Sequence, residues 1–225
     1  MFNFWGINFH IYGFILGIGI LAAREVAMKV ARERKFDEKL LDKIFIVGVV
    51  GGIIGARLYH VLDNFQYYSE NVVKIFLISE GGLGIWGGII GGLIAIAFKW
   101  KIDNGQWKIR DIIDLGAIGL PLGQAVGRWG NFFNKEIVGI NGEPLFFYES
   151  LSTFVLFLII YRLRNKKKYK LMGIYLLGYG AIRLVLEGFR GQSDAWIING
   201  ISVSQVLSVM SVSIGVWIAT RVRSR

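Results

Sequence analysis

Apolar runs near the ~20 residues that cross a bilayer as a helix recur along the whole 225-residue chain. Seven spans fit the pattern, at about residues 10–23, 44–62, 83–98, 111–127, 145–161, 172–189 and 202–220. The chain is 54% hydrophobic with a mean hydropathy of +0.50, a membrane composition that leaves no stretch for a separate soluble module. The sequence therefore predicts an all-α polytopic membrane protein, one integral membrane domain over residues 1–225. Met1 to Gly6 carries no positive charge, so the first apolar segment is expected to stay as a helix rather than be cleaved as a signal peptide.

The net charge of +10 would suit nucleic acid on a soluble domain, but its distribution points elsewhere, and no nucleic-acid partner is expected. Basic residues gather at 24–43 (Arg24, Lys29, Arg32, Arg34, Lys35, Lys39, Lys43), at 99–110, at 162–170 and in the tail after 220, which together hold 20 of the 26 Lys and Arg. These clusters fall in alternate loops, so the positive-inside rule gives an N-out, C-in topology. Cysteine is absent, which excludes a disulfide, a thiolate metal site and a cysteine nucleophile; any thiol chemistry must come from a partner. No His, Asp or Glu group has metal-ligand spacing and no nucleotide loop appears, so neither metal nor cofactor is expected.

The remaining basic residues include Arg57, Arg128, Arg183 and Arg190, which lie within spans or at their outer ends. A charge in a span costs roughly 2.5 to 3.5 kcal/mol on insertion scales, so such residues pair or function. Arg128 stands in the stretch GRWGNFFNKEIVG, Gly127 to Gly139, where a headgroup anchor and an anion site for a lipid phosphate are both open readings. Span six carries Tyr179, Arg183, Glu187 and Arg190 at spacings that share one helix face. The plainer reading there is a structural Arg183–Glu187 pair.

The pattern Gly127, Arg128, Gly130, Asn131, Phe132, Asn134, Glu136 and Gly139 resembles the signature of the bacterial prolipoprotein diacylglyceryl transferases. The resemblance extends over spans one to six. Tyr12–Gly13 is similar to a YG pair of that family, GARLYHV around Arg57 to its second span, and YGAIRLVLEGFRGQSD to its YG-x-x-R-x-x-x-E-x-x-R-x-PD segment, with Ser193 in place of the proline before Asp194. Gly51, Gly52 and Gly55 read first as a packing stripe. Pro144 to Ser150 resembles HPT-x-x-YES without its histidine, and Tyr148 and Glu149 either brace the fold or touch substrate. Trp86 stands where the family commonly has a histidine, or in some members a tyrosine, before a glycine pair. His10 and His60 read as exposed or interfacial residues.

The resemblance implies transfer of a diacylglyceryl group from phosphatidylglycerol to the lipobox cysteine of a prolipoprotein signal peptide in the bacterial cytoplasmic membrane. On that reading Arg128 and Arg183 hold the leaving phosphate, because a guanidinium offers parallel donors and stays charged when desolvated. Arg190, Asn131, Gly139, Tyr179, Arg57 and Trp86 belong to the substrate-binding set, and Tyr12, Glu136 and Glu187 join the catalytic set. A free thiol has a pKa of about 8.5, so a base or a positive field is needed. Glu136, Glu187 and the arginine field alone all remain open. A member that binds without turnover is suggested by Trp86, and a small-solute transporter is a third reading, although the halves show no inverted hydropathy repeat or paired broken helices.

Overall fold

A computed structural model describes residues 2–4, 7–9, 11–78, 81–105, 107–134, 136–166, 170–190, 197–198 and 201–220. His10, Ser193, Asp194 and the tail arginines lie outside the described residues. The architecture is helical. The long helices are α1 (Ile11–Glu33), α2 (Glu38–Asp63), α4 (Ile85–Ile102), α5 (Ile109–Asn134), α6 (Leu145–Leu163), α7 (Leu171–Glu187) and α8 (Val203–Thr220), with a short α3 (Phe65–Glu70) after α2. Two small antiparallel hairpins, β1 (Phe2–Phe4) with β2 (Ile7–Phe9) and β3 (Ile197–Ile198) with β4 (Ile201–Ser202), were not expected from the sequence. Among the described residues five helices, α1, α2, α4, α6 and α8, are long and apolar enough to cross a membrane. The other two are α7, with 17 residues, and α5, which carries Arg110, Asp111, Asp114 and Arg128.

The helices overrun several of the expected spans. α1 continues ten residues past 23 through Arg24, Lys29 and Arg32, because Lys, Arg, Ala and Glu are good helix formers and no Gly or Pro stops the chain there. α5 continues to Asn134, so the first half of the signature is helical rather than a loop.

The chain forms two compact units. The first comprises residues 1–9 and 31–111. Here α2 begins at an Asp37 cap, whose side chain accepts from the backbone N–H of Lys39 at 2.9 Å and of Leu40 at 3.2 Å. Its small-residue stripe packs against that of α4: a Cβ on Gly55 would lie 2.8 Å from Gly91 Cα, and one on Gly51 would lie 2.9 Å from Gly91 O. Only glycine permits that approach, and close backbone packing replaces the hydrophobic drive that lipid removes.

The second unit comprises residues 10–30 and 112–225. α1 meets α5 at Gly19, where a Cβ would stand 2.7 Å from Gly123 O, and α7 meets α8 at Gly215, where one would stand 2.8 Å from Gly173 O. In the same unit α5, α6 and α7 each contribute to a cluster of charged side chains.

Candidate active site

The second unit buries a carboxylate between two guanidinium groups. Glu149, on the first turns of α6, is 1% exposed. Its Oε1 lies 2.7 Å from Arg128 Nη2 of α5 and accepts from the Tyr179 hydroxyl of α7 at 3.1 Å. Its Oε2 lies 3.2 Å from Arg183 Nη1 of α7. Arg183 Nη2 in turn reaches Glu187 Oε2 at 3.0 Å and Ser204 Oγ at 2.9 Å, while Ser202 Oγ donates to Glu187 Oε1 at 2.9 Å. Arg190 Nη1 stands 3.8 Å from the same Glu187, and its Nε is buried with no partner among the described residues. Charged groups at such depth are stabilised by pairing, and removing one partner of a buried pair costs about 3–5 kcal/mol.

The arginines are less enclosed than the carboxylates that hold them. Side-chain exposure is 22% for Arg128 and 16% for Arg183, so each keeps an open edge while its other side is fixed by acid, phenol and hydroxyl. Tyr179 is held in turn, its ring stacked on Tyr175 at 5.8 Å and 3°, with Gln124 donating to the Tyr175 hydroxyl at 2.9 Å.

The signature continues from this cluster toward the surface. Arg128 Nη1 lies 3.4 Å from Asn131 Oδ1, and Asn131 donates its amide to Glu136 Oε2 at 3.0 Å, with Asn134 donating to the other oxygen at 3.3 Å. Glu136 is exposed, and among the described residues no guanidinium pairs with it. Its backbone N–H returns to Asn131 O at 2.9 Å, and the chain then reverses through Ile137 at φ +60°, a left-handed conformation that a β-branched residue adopts only under local constraint. Gly139 bridges to Arg190, and Ile140 N–H donates to Phe189 O at 3.0 Å, which ties the signature loop to the end of α7. Gly139 is required for space: a Cβ there would sit 3.0 Å from Glu143 Cβ. Glu143 clasps the same loop by accepting from Asn141 N at 2.9 Å and Asn141 Nδ2 at 3.0 Å, bonds that hold its carboxyl below the usual carboxylate range.

Tyr12 belongs to this unit as well. Its ring packs on Gly130, where a Cβ would stand 2.7 Å from Tyr12 Cδ2, so the glycine of the signature is what admits the tyrosine. Next to Gly130 in sequence, the exposed Trp129 and Phe132 meet the part-buried Phe146, with Trp129 to Phe146 centroids 6.0 Å apart and Phe132 to Phe146 5.2 Å apart.

Arg57 and Trp86 belong to the first unit. Arg57 is buried, and its fork donates to Ile75 O at 2.8 Å, Gly81 O at 2.7 Å, Gly82 O at 3.0 Å, Leu77 O at 3.3 Å and the carbonyl of Lys74. That guanidinium fastens the segment between α3 and α4, a 3-10 turn over Val72–Phe76 included. Trp86 is the second residue of α4 and is 36% exposed.

The sequence-expected residues Tyr12, Arg128, Asn131, Glu136, Gly139, Tyr179, Arg183, Glu187 and Arg190 thus share one unit. Glu149 is the residue whose weight sequence reasoning understated. The available signal was charge: two arginines within or at the ends of apolar spans needed acids at similar depth, and Glu149 stands near the start of span five.

A family model for prolipoprotein diacylglyceryl transferase matches residues 1–221. The chain is 35% identical to the phosphatidylglycerol–prolipoprotein diacylglyceryl transferase of Finegoldia magna, covering 96% of this chain and 92% of that protein. It is 33% identical to the protein of the same name from Clostridioides difficile, covering 96% and 91%, and 36% identical to that of Streptococcus pneumoniae, covering 92% and 87%. A match of this extent, on a chain whose Arg128 and Arg183 share one buried carboxylate, places the protein in the prolipoprotein diacylglyceryl transferase family.

Proposed function

We propose that this protein transfers the diacylglyceryl group of phosphatidylglycerol to the lipobox cysteine thiol of prolipoproteins, the first step of lipoprotein maturation. The observation that carries this reading is the pair of open-edged guanidiniums, Arg128 and Arg183, fixed on a common carboxylate. The names of the relatives supply the substrates. In the reaction the thiolate sulfur attacks the glyceryl carbon, a carbon–sulfur bond forms, and the carbon–oxygen bond to phosphate breaks with its electron pair leaving on glycerol phosphate. Charge builds on that oxygen as the bond breaks, which is where fixed donors act. Arg128 and Arg183 hold the phosphate, with Arg190 as a third cation. Asn131 positions Glu136. Of the two candidate acids, Glu136 is the better acceptor for the thiol proton, since Glu187 is committed to Arg183, Arg190 and Ser202.

The protein is read as one domain crossing the bacterial cytoplasmic membrane seven times, N-out and C-in. The basic clusters in alternate loops support that orientation. α5 and α7 complete the seven, since their arginines Arg128 and Arg183 are both paired with Glu149.

Purified protein, phosphatidylglycerol and a lipobox peptide, assayed for thioether peptide and released glycerol phosphate, test the reading. Formation of both is expected. Lipid or peptide binding without product would favour the binding-only reading that Trp86 suggests, and cysteine labelling that placed residues 162–170 outside would reverse the topology.

A further inference from the structure

Nothing in the transfer reaction requires a carboxylate to stand between the two arginines, yet Glu149 is the most enclosed charged group of the cluster, at 1% exposure. We propose that Glu149 is a positioning and specificity-determining residue: it fixes both guanidiniums and sets the charge of the site so that one positive charge is left open, the complement of a phosphodiester monoanion. The proposal rests on the reading of Arg128 and Arg183 as the phosphate site.

The count comes from the cluster itself. Arg128, Arg183 and Arg190 bring three positive charges, and among the described residues Glu149 and Glu187 are the two carboxylates within ion-pair distance of them. Glu136 is exposed and, among the described residues, reaches Arg128 through the Asn131 amide, so the high dielectric of the surface weakens its pull on the cluster. A lipid phosphodiester carries one negative charge and would make the cluster neutral. A phosphomonoester, whose second ionisation lies near pH 6, carries two at pH 8 and would leave a net negative charge in a poorly solvated place.

Glu149 is built to remain in place when a phosphate arrives. Both of its oxygens are engaged, Oε1 by Arg128 and the Tyr179 hydroxyl and Oε2 by Arg183. The exposure of the three side chains shows that an incoming ligand meets the guanidinium edges and not the carboxylate. One oxygen on each arginine also fixes the spacing of the two forks, which a neutral amide cannot do, because its nitrogen would face a guanidinium nitrogen.

The experiment is equilibrium binding at pH 8 of two lipids with the same short acyl chains, phosphatidylglycerol and phosphatidic acid, to the purified full-length protein in phosphatidylcholine nanodiscs. Wild type and Glu149→Gln are compared and turnover is measured alongside. Wild type is expected to bind phosphatidylglycerol at least as tightly as phosphatidic acid. Glu149→Gln is expected to shift the ratio toward phosphatidic acid by about tenfold or more. Its kcat should fall by about 100-fold, the effect of misplaced contacts, with no rise in the KM for phosphatidylglycerol. A role in folding alone would weaken both lipids in parallel; that outcome, or an unchanged ratio, overturns the proposal. If Glu149→Gln does not fold, the wild-type ratio decides, and tighter wild-type binding of phosphatidic acid overturns it. Wild type that binds neither lipid defeats the phosphate-site reading itself, a result distinct from binding with an unshifted preference.

Discussion

Arg128 Nη2 lies 2.7 Å from Glu149 Oε1, an ion pair that joins α5 to α6 with its acid buried and its base part-open. A fork so held can give its outer edge to two phosphate oxygens, which a lysine in the same place cannot do. Arg128→Lys and Arg183→Lys are each expected to lower kcat/KM by about 100-fold, corresponding to about 2.7 kcal/mol, while inserting in the membrane like wild type. Turnover near the wild-type rate in either variant would remove phosphate recognition from that residue.

The loop from Gly139 to Glu143 is held by a depressed carboxyl, and its response to acid follows from the sign of that shift. The Glu143 side chain accepts from Asn141 in the folded protein, so its folded pKa lies below the ordinary value of 4.5. Its contribution to stability is therefore complete above the unfolded value and is lost as pH falls below about 4.5 through the folded pKa. Thermal unfolding of Glu143→Gln is expected to start lower than that of wild type at pH 7, with the gap closing under acid. A gap independent of pH would mean that the carboxylate charge is not what clasps the loop.

Much of this molecule was legible in the sequence because its hardest constraints are local. Apolar runs fix where helices run, and an arginine in such a run demands a partner. Hence the signature residues and the α7 face were found before their contacts were known. The partner itself was not legible: Glu149 is 21 residues from Arg128 and 34 from Arg183, and only packing of α6 between them shows that one acid serves both. Arg57 shows the converse. Its place in a span put it in the substrate-binding set, but its five bonds go to carbonyls of residues 74–82, a segment whose 3-10 turn has no clear periodicity to announce it. The expected span ended at about 127, where the apolar run gives way to Arg128, whereas α5 continues to Asn134 and Gly130 makes room for Tyr12.

The glycine stripe between α2 and α4 predicts a graded response to a single methyl group. On Gly55 it would lie 2.8 Å from Gly91 Cα, a backbone atom that can move only with its helix, whereas on Gly88 it would meet Ala56 Cβ at an ordinary 3.6 Å. Gly55→Ala should destabilise by about 1–3 kcal/mol, the usual cost of overpacking, and Gly88→Ala should be close to neutral. Melting of both variants in the same micelle tests this; equal melting temperatures would mean that α2 and α4 do not meet at the stripe.

Trp86 is where the chain departs from the family pattern, and its surroundings decide what substitution there can do. It begins α4 at 36% exposure, and the tight contact at this point is made by its neighbour Gly87 against the α2 backbone, so changing the indole leaves the helix pair intact. An indole cannot accept a proton. If a histidine at this position were the indispensable base, wild type would be silent and Trp86→His would create activity. The rest of the cluster argues otherwise: Arg128, Arg183, Tyr179, Glu149 and Glu187 are all engaged in one network, and an abandoned site would not keep so many costly buried charges paired. Wild type is therefore expected to turn over, with Trp86→Phe within about tenfold of it, since the arginine field and Glu136 already favour the thiolate. Rates for wild type, Trp86→Phe and Trp86→His across pH 6 to 9 settle the point. A silent wild type rescued only by histidine would assign proton abstraction to position 86 and remove it from Glu136.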